Sequence, residues 1–95
     1  MPFAVLIELE GVTPELYDAV NDEMNVSGNP PEGLILHSGG VIDGGMRVYD
    51  VWETEDAFNK FEQSTLGPAV QKVSQGQAPP PARREVYELH DLFKA

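Results

Sequence analysis

The stretch from Leu34 to Phe61 constrains the fold of this 95-residue chain more than any other part of the sequence. It contains two β-rich runs joined by Asp43-Gly44-Gly45, and glycine tolerates the positive φ angles that tight hairpin turns require. Thr54 then offers a hydroxyl that can cap a helix, and the two acids that follow it would lie at the positive end of the helix dipole. The stretch therefore predicts a β-hairpin followed directly by a helix.

The rest of the chain supplies a strand and a helix before the hairpin and a final strand after the second helix. Gly67-Pro68 should break or kink that second helix, because proline clashes with the preceding helical turn. The proline-rich segment from Gln75 to Ala82 reads as an extended connector. The predicted elements are a strand from Phe3 to Leu9, a helix opened by Thr13-Pro14-Glu15, hairpin strands from Leu34 to Ile42 and from Met46 to Glu53, a helix from about Glu55, and a strand from Arg84 to Phe93.

The order β-α-β-β-α-β predicts an α+β fold of the ferredoxin-like type, as a single domain over residues 1–95. Right-handed crossovers place both helices on one face of a four-stranded antiparallel sheet and leave the other face bare. The first strand is nevertheless apolar on both faces, and Tyr49 and Val51 lie on the uncovered side of the third. We therefore expect a homodimer formed through the open sheet face, since two-fold pairing uses one apolar patch twice.

Composition excludes several classes of function. Sixteen acids against six bases give a formal charge of −10, which disfavours nucleic acid and anionic membranes as partners. The chain has no cysteine, so a Cys-based metal site is excluded. Neither a signal peptide nor a run of ~20 apolar residues is evident, and we expect a cytoplasmic protein that needs no cofactor.

His37 and Asp50 are the first candidates for catalysis. A two-residue turn at Asp43-Gly44 would place His37 directly opposite Asp50, while a turn at Gly44-Gly45 would place the two on the same face one step apart. A carboxylate beside an imidazole fixes its tautomer and raises its pKa, as a general base requires. The same pair could equally be a structural cross-strand contact.

Four further side chains are candidate ligand-binding groups, and each also has an ordinary structural explanation. Trp52 is the only tryptophan of the chain and, like Phe58 and Tyr17, can form a pocket wall or simply pack in the core. His90 is predicted in the last strand, as a ligand-binding residue or a structural histidine. A metal held by His37, His90 and Asp50 fits in ligand type, but no local spacing supports it, and no metal site is predicted.

Over nearly its whole length, the sequence resembles the dimeric α+β barrel superfamily, and within it small proteins akin to antibiotic-biosynthesis monooxygenases. The likeness is carried by Val48-Tyr49-Asp50-Val51-Trp52-Glu53-Thr54, by the following Asp56-Ala57-Phe58, and by Leu66-Gly67-Pro68. It implies a cavity between sheet and helices lined by Trp52. Quinone-forming members carry asparagine where this chain has Val48, and haem-degrading members carry a histidine in the helix after the tryptophan, which this chain lacks.

These observations lead to two functional hypotheses. The first is a small-molecule-binding protein, related to cofactor-independent monooxygenases, that abstracts a proton from a small aromatic or carbonyl compound. His37 would be its base, with Asp50 as the group that orients the imidazole. The second is a non-catalytic dimeric binding or stress-associated domain in which the histidine and tryptophan are structural.

Overall fold

The chain folds into a four-stranded antiparallel sheet with its helices on one face. The computed structural model describes residues 1–76 and 82–95, and no helix within them is long and apolar enough to cross a membrane. The elements are β1 (Phe3–Glu10), α1 (Pro14–Met24), β2 (Leu34–Ile42), β3 (Gly45–Trp52), α2 (Glu55–Phe61), a π-helical turn (Glu62–Leu66), α3 (Gly67–Val73) and β4 (Ala82–Glu88). The strand order β2-β3-β1-β4 is that of the predicted ferredoxin-like fold.

The hairpin of β2 and β3 closes through the two-residue turn Asp43-Gly44, and this selects one of the two predicted registers. Ile42 pairs with Gly45, and His37 therefore lies directly opposite Asp50. Gly44 adopts a φ of +82°, a conformation that side chains disfavour. The glycine that made the turn predictable is thus also the residue that the backbone requires there.

Both predicted helix starts are confirmed. The Thr13 hydroxyl accepts a hydrogen bond from the Leu16 amide at 3.2 Å, and the Thr54 hydroxyl accepts one from the Ala57 amide at 3.1 Å. Each threonine satisfies a backbone donor that has no partner inside its own helix.

The predicted interruption at Gly67-Pro68 takes the form of a π-helical turn rather than a complete break. The Gly67 amide donates to the carbonyl of Glu62, five residues earlier. Pro68 lies in the first turn of α3, the part of a helix that tolerates proline best. The predicted connector from Gln75 to Ala82 falls mostly outside the described residues.

The last strand is shorter than predicted, and the placement of His90 within it is wrong. β4 ends at Glu88, which pairs with Phe3 at the start of β1, and one further bond joins the Leu89 amide to the Pro2 carbonyl. Pro2 has no N–H with which to continue the ladder. His90 therefore lies beyond the sheet and is exposed.

The two faces of the sheet differ in character. Trp52 and Val5 form the buried core of the inner face together with Phe58 of α2. On the outer face, one row across the four strands consists of Leu36, Val51, Ala4 and Tyr87.

The expectation of a uniformly bare outer face is only partly right. In this row, the small residues on the two central strands, Ala4 and Val51, are buried. The larger residues on the two edge strands, Leu36 and Tyr87, are 48% and 45% exposed. The opposite end of the same face is charged, because Arg47 and Arg83 form ion pairs with Glu8. The apolar part of the outer face thus comprises this row and the neighbouring Leu6–Tyr49 pair, away from the charged end.

Candidate functional site

A cavity of about 710 Å³ lies between the helices and the inner face of the sheet. Its volume falls within the range typical of small-molecule pockets. Side chains from α1, α3 and the central strands supply most of its surface, which is predominantly apolar. Representative lining residues are Ile7, Leu9, Leu16, Val20, Val48 and Val70.

The side chains of α1 border the cavity without filling it. None of the side chains of α1 is fully buried, and Leu16, on its apolar stripe, remains 37% exposed. Leu16, Tyr17, Val20 and Met24 recur at helical spacing along α1, and all four face inward and line the cavity instead of closing it. The amphipathic pattern therefore gave the direction of these side chains correctly.

A continuous hydrogen-bonded network of four side chains forms one polar region of the cavity wall. His37 Nδ1 lies 2.6 Å from Asp50 Oδ1, and His37 Nε2 lies 2.8 Å from the Tyr17 hydroxyl. Trp52 Nε1–H donates to the second oxygen of Asp50 at 3.2 Å. The structure thus joins the predicted His37–Asp50 pair to two of the predicted pocket walls.

The donors and acceptors of the network can be assigned from the position of the Asp50 carboxylate. Asp50 is only 5% exposed and accepts from the His37 and Trp52 N–H groups, so it holds the His37 proton on Nδ1. The pKa of His37 is raised, chiefly by the hydrogen bond to Asp50 and further by its charge, although partial burial acts in the opposite direction. Neutral His37 consequently presents Nε2 as an acceptor, and the Tyr17 hydroxyl donates to it.

Backbone geometry explains how these groups meet. Asp50 and Trp52 share the inner face of β3, since side chains alternate along a strand, and the hairpin register brings His37 opposite Asp50. Tyr17 approaches from α1, and its ring lies nearly parallel to the imidazole. Gly39 leaves the space that this ring fills: a Cβ added there would overlap the Tyr17 hydroxyl and lie 2.5 Å from its Cζ.

Gly39 in β2 is therefore a point of close approach between the strand and Tyr17. The register irregularity of this strand lies elsewhere, between Leu34 and Leu36.

Trp52 belongs to both the core and the cavity wall. It is fully buried, and its ring centroid lies 5.7 Å from that of Phe58 and 5.2 Å from that of Phe61. Phe58 also lines the cavity. These two predicted wall residues therefore form the closed end of the cavity, where α2 packs on the sheet.

Sequence reasoning did not assign Arg84 to the site. Its guanidinium lies 5.0 Å from the centroid of the Phe58 ring and donates to Glu62 at 2.7 Å, and both charged residues line the cavity. Strand alternation with Val86 would have pointed Arg84 inward. Arg84 is thus ion-paired with Glu62, and Arg47 and Arg83 are also ion-paired with acidic side chains.

His90 is not brought into the site, being exposed and not part of the cavity lining. The combination of His37, His90 and Asp50 as metal ligands is not assembled. Within residues 1–76 and 82–95, no three histidine or acidic side chains are grouped closely enough to hold a metal ion.

Sequence comparisons give no matching protein family and no matching curated protein. Solved structures, in contrast, match over almost the whole chain. Rv0793 from Mycobacterium tuberculosis has a TM-score of 0.71 at 17% identity, covering 99% of this chain and 100% of that one. SnoaB, a cofactor-independent oxygenase from Streptomyces nogalater, has a TM-score of 0.61 at 14% identity, covering 99% and 96%.

A third similar structure is a dimeric ferredoxin-like protein of unknown function from Thermobifida fusca. Its TM-score is 0.66 at 14% identity, and the match covers 94% of this chain and 92% of that one. The TM-scores and coverages establish a shared fold, whereas sequence identities this low leave the activity open. The chain therefore has the ferredoxin-like fold that its sequence predicted, the fold that it shares with a cofactor-independent oxygenase and with a dimeric ferredoxin-like protein.

Proposed function

We propose that the protein binds a small aromatic or carbonyl compound in the cavity and removes a proton from it. The observation that carries this proposal is the hydrogen-bonded network of Tyr17, His37 and Asp50, which lies in a predominantly apolar cavity wall. An apolar cavity with a few convergent polar groups and a perturbed histidine pKa is typical of a site that binds and transforms a small molecule.

The proposed chemistry follows from the order of the network. Neutral His37 takes up a proton, the C–H or O–H bond of the bound compound breaks, and its electron pair remains on the compound as an enolate or phenolate. Asp50 stabilises the imidazolium that forms, because its carboxylate accepts the Nδ1–H bond. Proton abstraction is also the step with which oxygenation without a cofactor would begin, and the fold shared with SnoaB supports this direction.

Binding is measured through Trp52, because it is the only tryptophan and it lines the cavity. We expect nitrobenzene, a small aromatic quencher, to reduce its fluorescence in a saturable way. Proton abstraction is measured as deuterium uptake by 2-indanone in D₂O, followed by NMR. The wild-type protein should accelerate uptake, and His37→Ala should reduce the acceleration by about a hundredfold or more.

Ser38→Ala is the matched control for His37→Ala. Ser38 is the next residue of β2, is exposed, and binds the backbone carbonyl of Tyr49, so its loss should not alter deuterium uptake. Asp50→Ala is a less clean probe, because Asp50 also accepts the buried Trp52 N–H. Saturable nitrobenzene binding without accelerated uptake would contradict catalysis.

A non-catalytic binding protein is the second candidate, and one observation favours it. Among the described residues, every buried side-chain polar atom has a hydrogen-bond partner, as expected for a network that serves structure alone. This alternative predicts that His37→Ala lowers the melting temperature, while 2-indanone exchanges no faster with wild-type protein than with buffer.

We also propose that the protein is a homodimer that pairs through the apolar end of the outer sheet face. Leu36 and Tyr87 are both about half exposed there, and the Thermobifida fusca protein of similar fold is dimeric. Light scattering should give twice the 10.4 kDa chain mass, and Leu36→Glu should shift it toward that of one chain. A folded wild-type monomer at micromolar concentration would contradict the dimer.

A further inference from the structure

We propose that the Tyr17 hydroxyl, seated by Gly39, is the group of the network that contacts the bound compound and passes its proton to His37. This inference rests on the proposed function, because it concerns the same cavity and the same proton. It assigns Tyr17 a catalytic role and Gly39 a positioning role.

The first observation is that both ring nitrogens of His37 are engaged in hydrogen bonds. Both ring nitrogens of His37 already have partners: Nδ1 pairs with Asp50 at 2.6 Å and Nε2 with Tyr17 at 2.8 Å. An imidazole has only these two polar atoms, so no nitrogen of His37 is left for a ligand. A direct contact between His37 and a compound in the cavity would require the Tyr17 bond to break.

The Tyr17 hydroxyl, in contrast, has capacity to spare. A phenol oxygen donates one hydrogen bond and can accept as well, and here its proton is directed at His37 Nε2 while its lone pairs remain available. Tyr17 also lines the cavity. It is therefore the outermost member of a chain that runs from Tyr17 through His37 to Asp50.

The second observation is the fit between Tyr17 and Gly39. A Cβ at Gly39 would overlap the Tyr17 hydroxyl and lie 2.5 Å from Cζ, nearer than real Cβ contacts. The backbone of Gly39 does not adopt a positive φ, so space and not conformation demands glycine there. A Cβ at the neighbouring Gly40 would meet nothing within 4 Å.

The proton transfer balances without a further reactant. The C–H or O–H bond of the bound compound breaks, and its proton forms a new O–H bond on Tyr17. The original Tyr17 O–H bond breaks as its proton forms an N–H bond at His37 Nε2. The electron pair stays on the compound, and His37 becomes an imidazolium paired with the Asp50 carboxylate.

Four proteins test the inference with the two probes already described: wild type, Tyr17→Phe, Gly39→Ala and Gly40→Ala. Tyr17→Phe keeps the ring and removes only the hydroxyl, so nitrobenzene should bind nearly as it does to wild type. Deuterium uptake by 2-indanone should fall by about a hundredfold in both Tyr17→Phe and Gly39→Ala. The loss should lie in kcat with little change in KM, and Gly40→Ala should match wild type.

The outcomes separate this inference from the proposed function. If Tyr17→Phe retains wild-type uptake while His37→Ala loses it, the proposed function stands and the role of Tyr17 is overturned. Retained uptake in Gly39→Ala, or an equal loss in Gly40→Ala, overturns the positioning role of Gly39. A wild-type protein that does not accelerate uptake overturns the inference together with the proposed function.

Discussion

The two halves of the helix layer cover the same sheet face in opposite ways. At the α2 end, Phe58 and Trp52 are fully buried against each other. At the α1 end, none of the helix side chains is fully buried, and Leu16 and Val20 line a cavity. Both helices are amphipathic, so the apolar pattern by itself does not decide whether a helix packs or leaves a void.

The difference follows from side-chain size and from the polar network. Phe58 and Phe61 both reach the Trp52 ring across the gap between helix and sheet, whereas the smaller Leu16 and Val20 of α1 line the cavity without filling it. The inner face beside α1 also carries Asp50 and His37, which need hydrogen-bond partners and not apolar cover. The packed half thus provides stability and the open half provides a site.

Phe58→Ala should have the largest effect on stability, since it would leave a cavity in the packed half of the core. Removing a fully buried phenylalanine costs about 3–5 kcal/mol, much of the stability of a chain this small. Chemical denaturation measures the loss, with Phe58→Leu as a milder control. A loss below about 1 kcal/mol would mean that the contrast between the two halves is wrong.

Asp50→Asn tests the residue that joins the two halves, because Asp50 is hydrogen-bonded to His37 in the open half and to Trp52 in the packed half. The amide can accept from only one of the two N–H groups that Asp50 now serves, on His37 and Trp52. We expect a loss of about 1–3 kcal/mol and a fall in the His37 pKa, measured by denaturation and by NMR titration. An unchanged His37 pKa would contradict the assigned cause of its shift.

The stability of the open half should depend on pH through His37. Its folded pKa is raised above 6.5, so the stabilisation is complete below about pH 6.5 and disappears as the pH rises through the folded value. The groups that face this imidazole are Asp50 from β3 and Tyr17 from α1. Denaturation of wild type and His37→Gln across this range should show the decline in wild type alone.

Leu16→Ala should have the smallest effect, because this side chain lines a void and is already 37% exposed. We expect less than about 1 kcal/mol, while nitrobenzene binding should change with the shape of the cavity. A loss as large as that of Phe58→Ala would show that α1 is packed in solution.

Much of the site was predictable because it depends on local rules. Either two-residue turn that the glycines after Asp43 allow places His37 and Asp50 on the same face of the hairpin. The structure selects the register in which the two are directly opposite. The threonine caps likewise set where the helices begin. Tyr17 was predicted as a pocket wall, but its bond to His37 was not, because it joins residues of two elements whose separation no local pattern contains.

By itself, the sequence determined the order of the elements, a tight turn between the hairpin strands, the helix starts, and the face of its helix or strand on which each side chain lies. All of these depend on neighbours along the chain. Only the tertiary structure decided that α1 borders a cavity, that β4 ends before His90, and that Arg84 contacts Glu62 and Phe58. Periodicity defines a direction around an element, whereas a cavity depends on the distance between elements, which is set by how far the side chains of both reach across the gap.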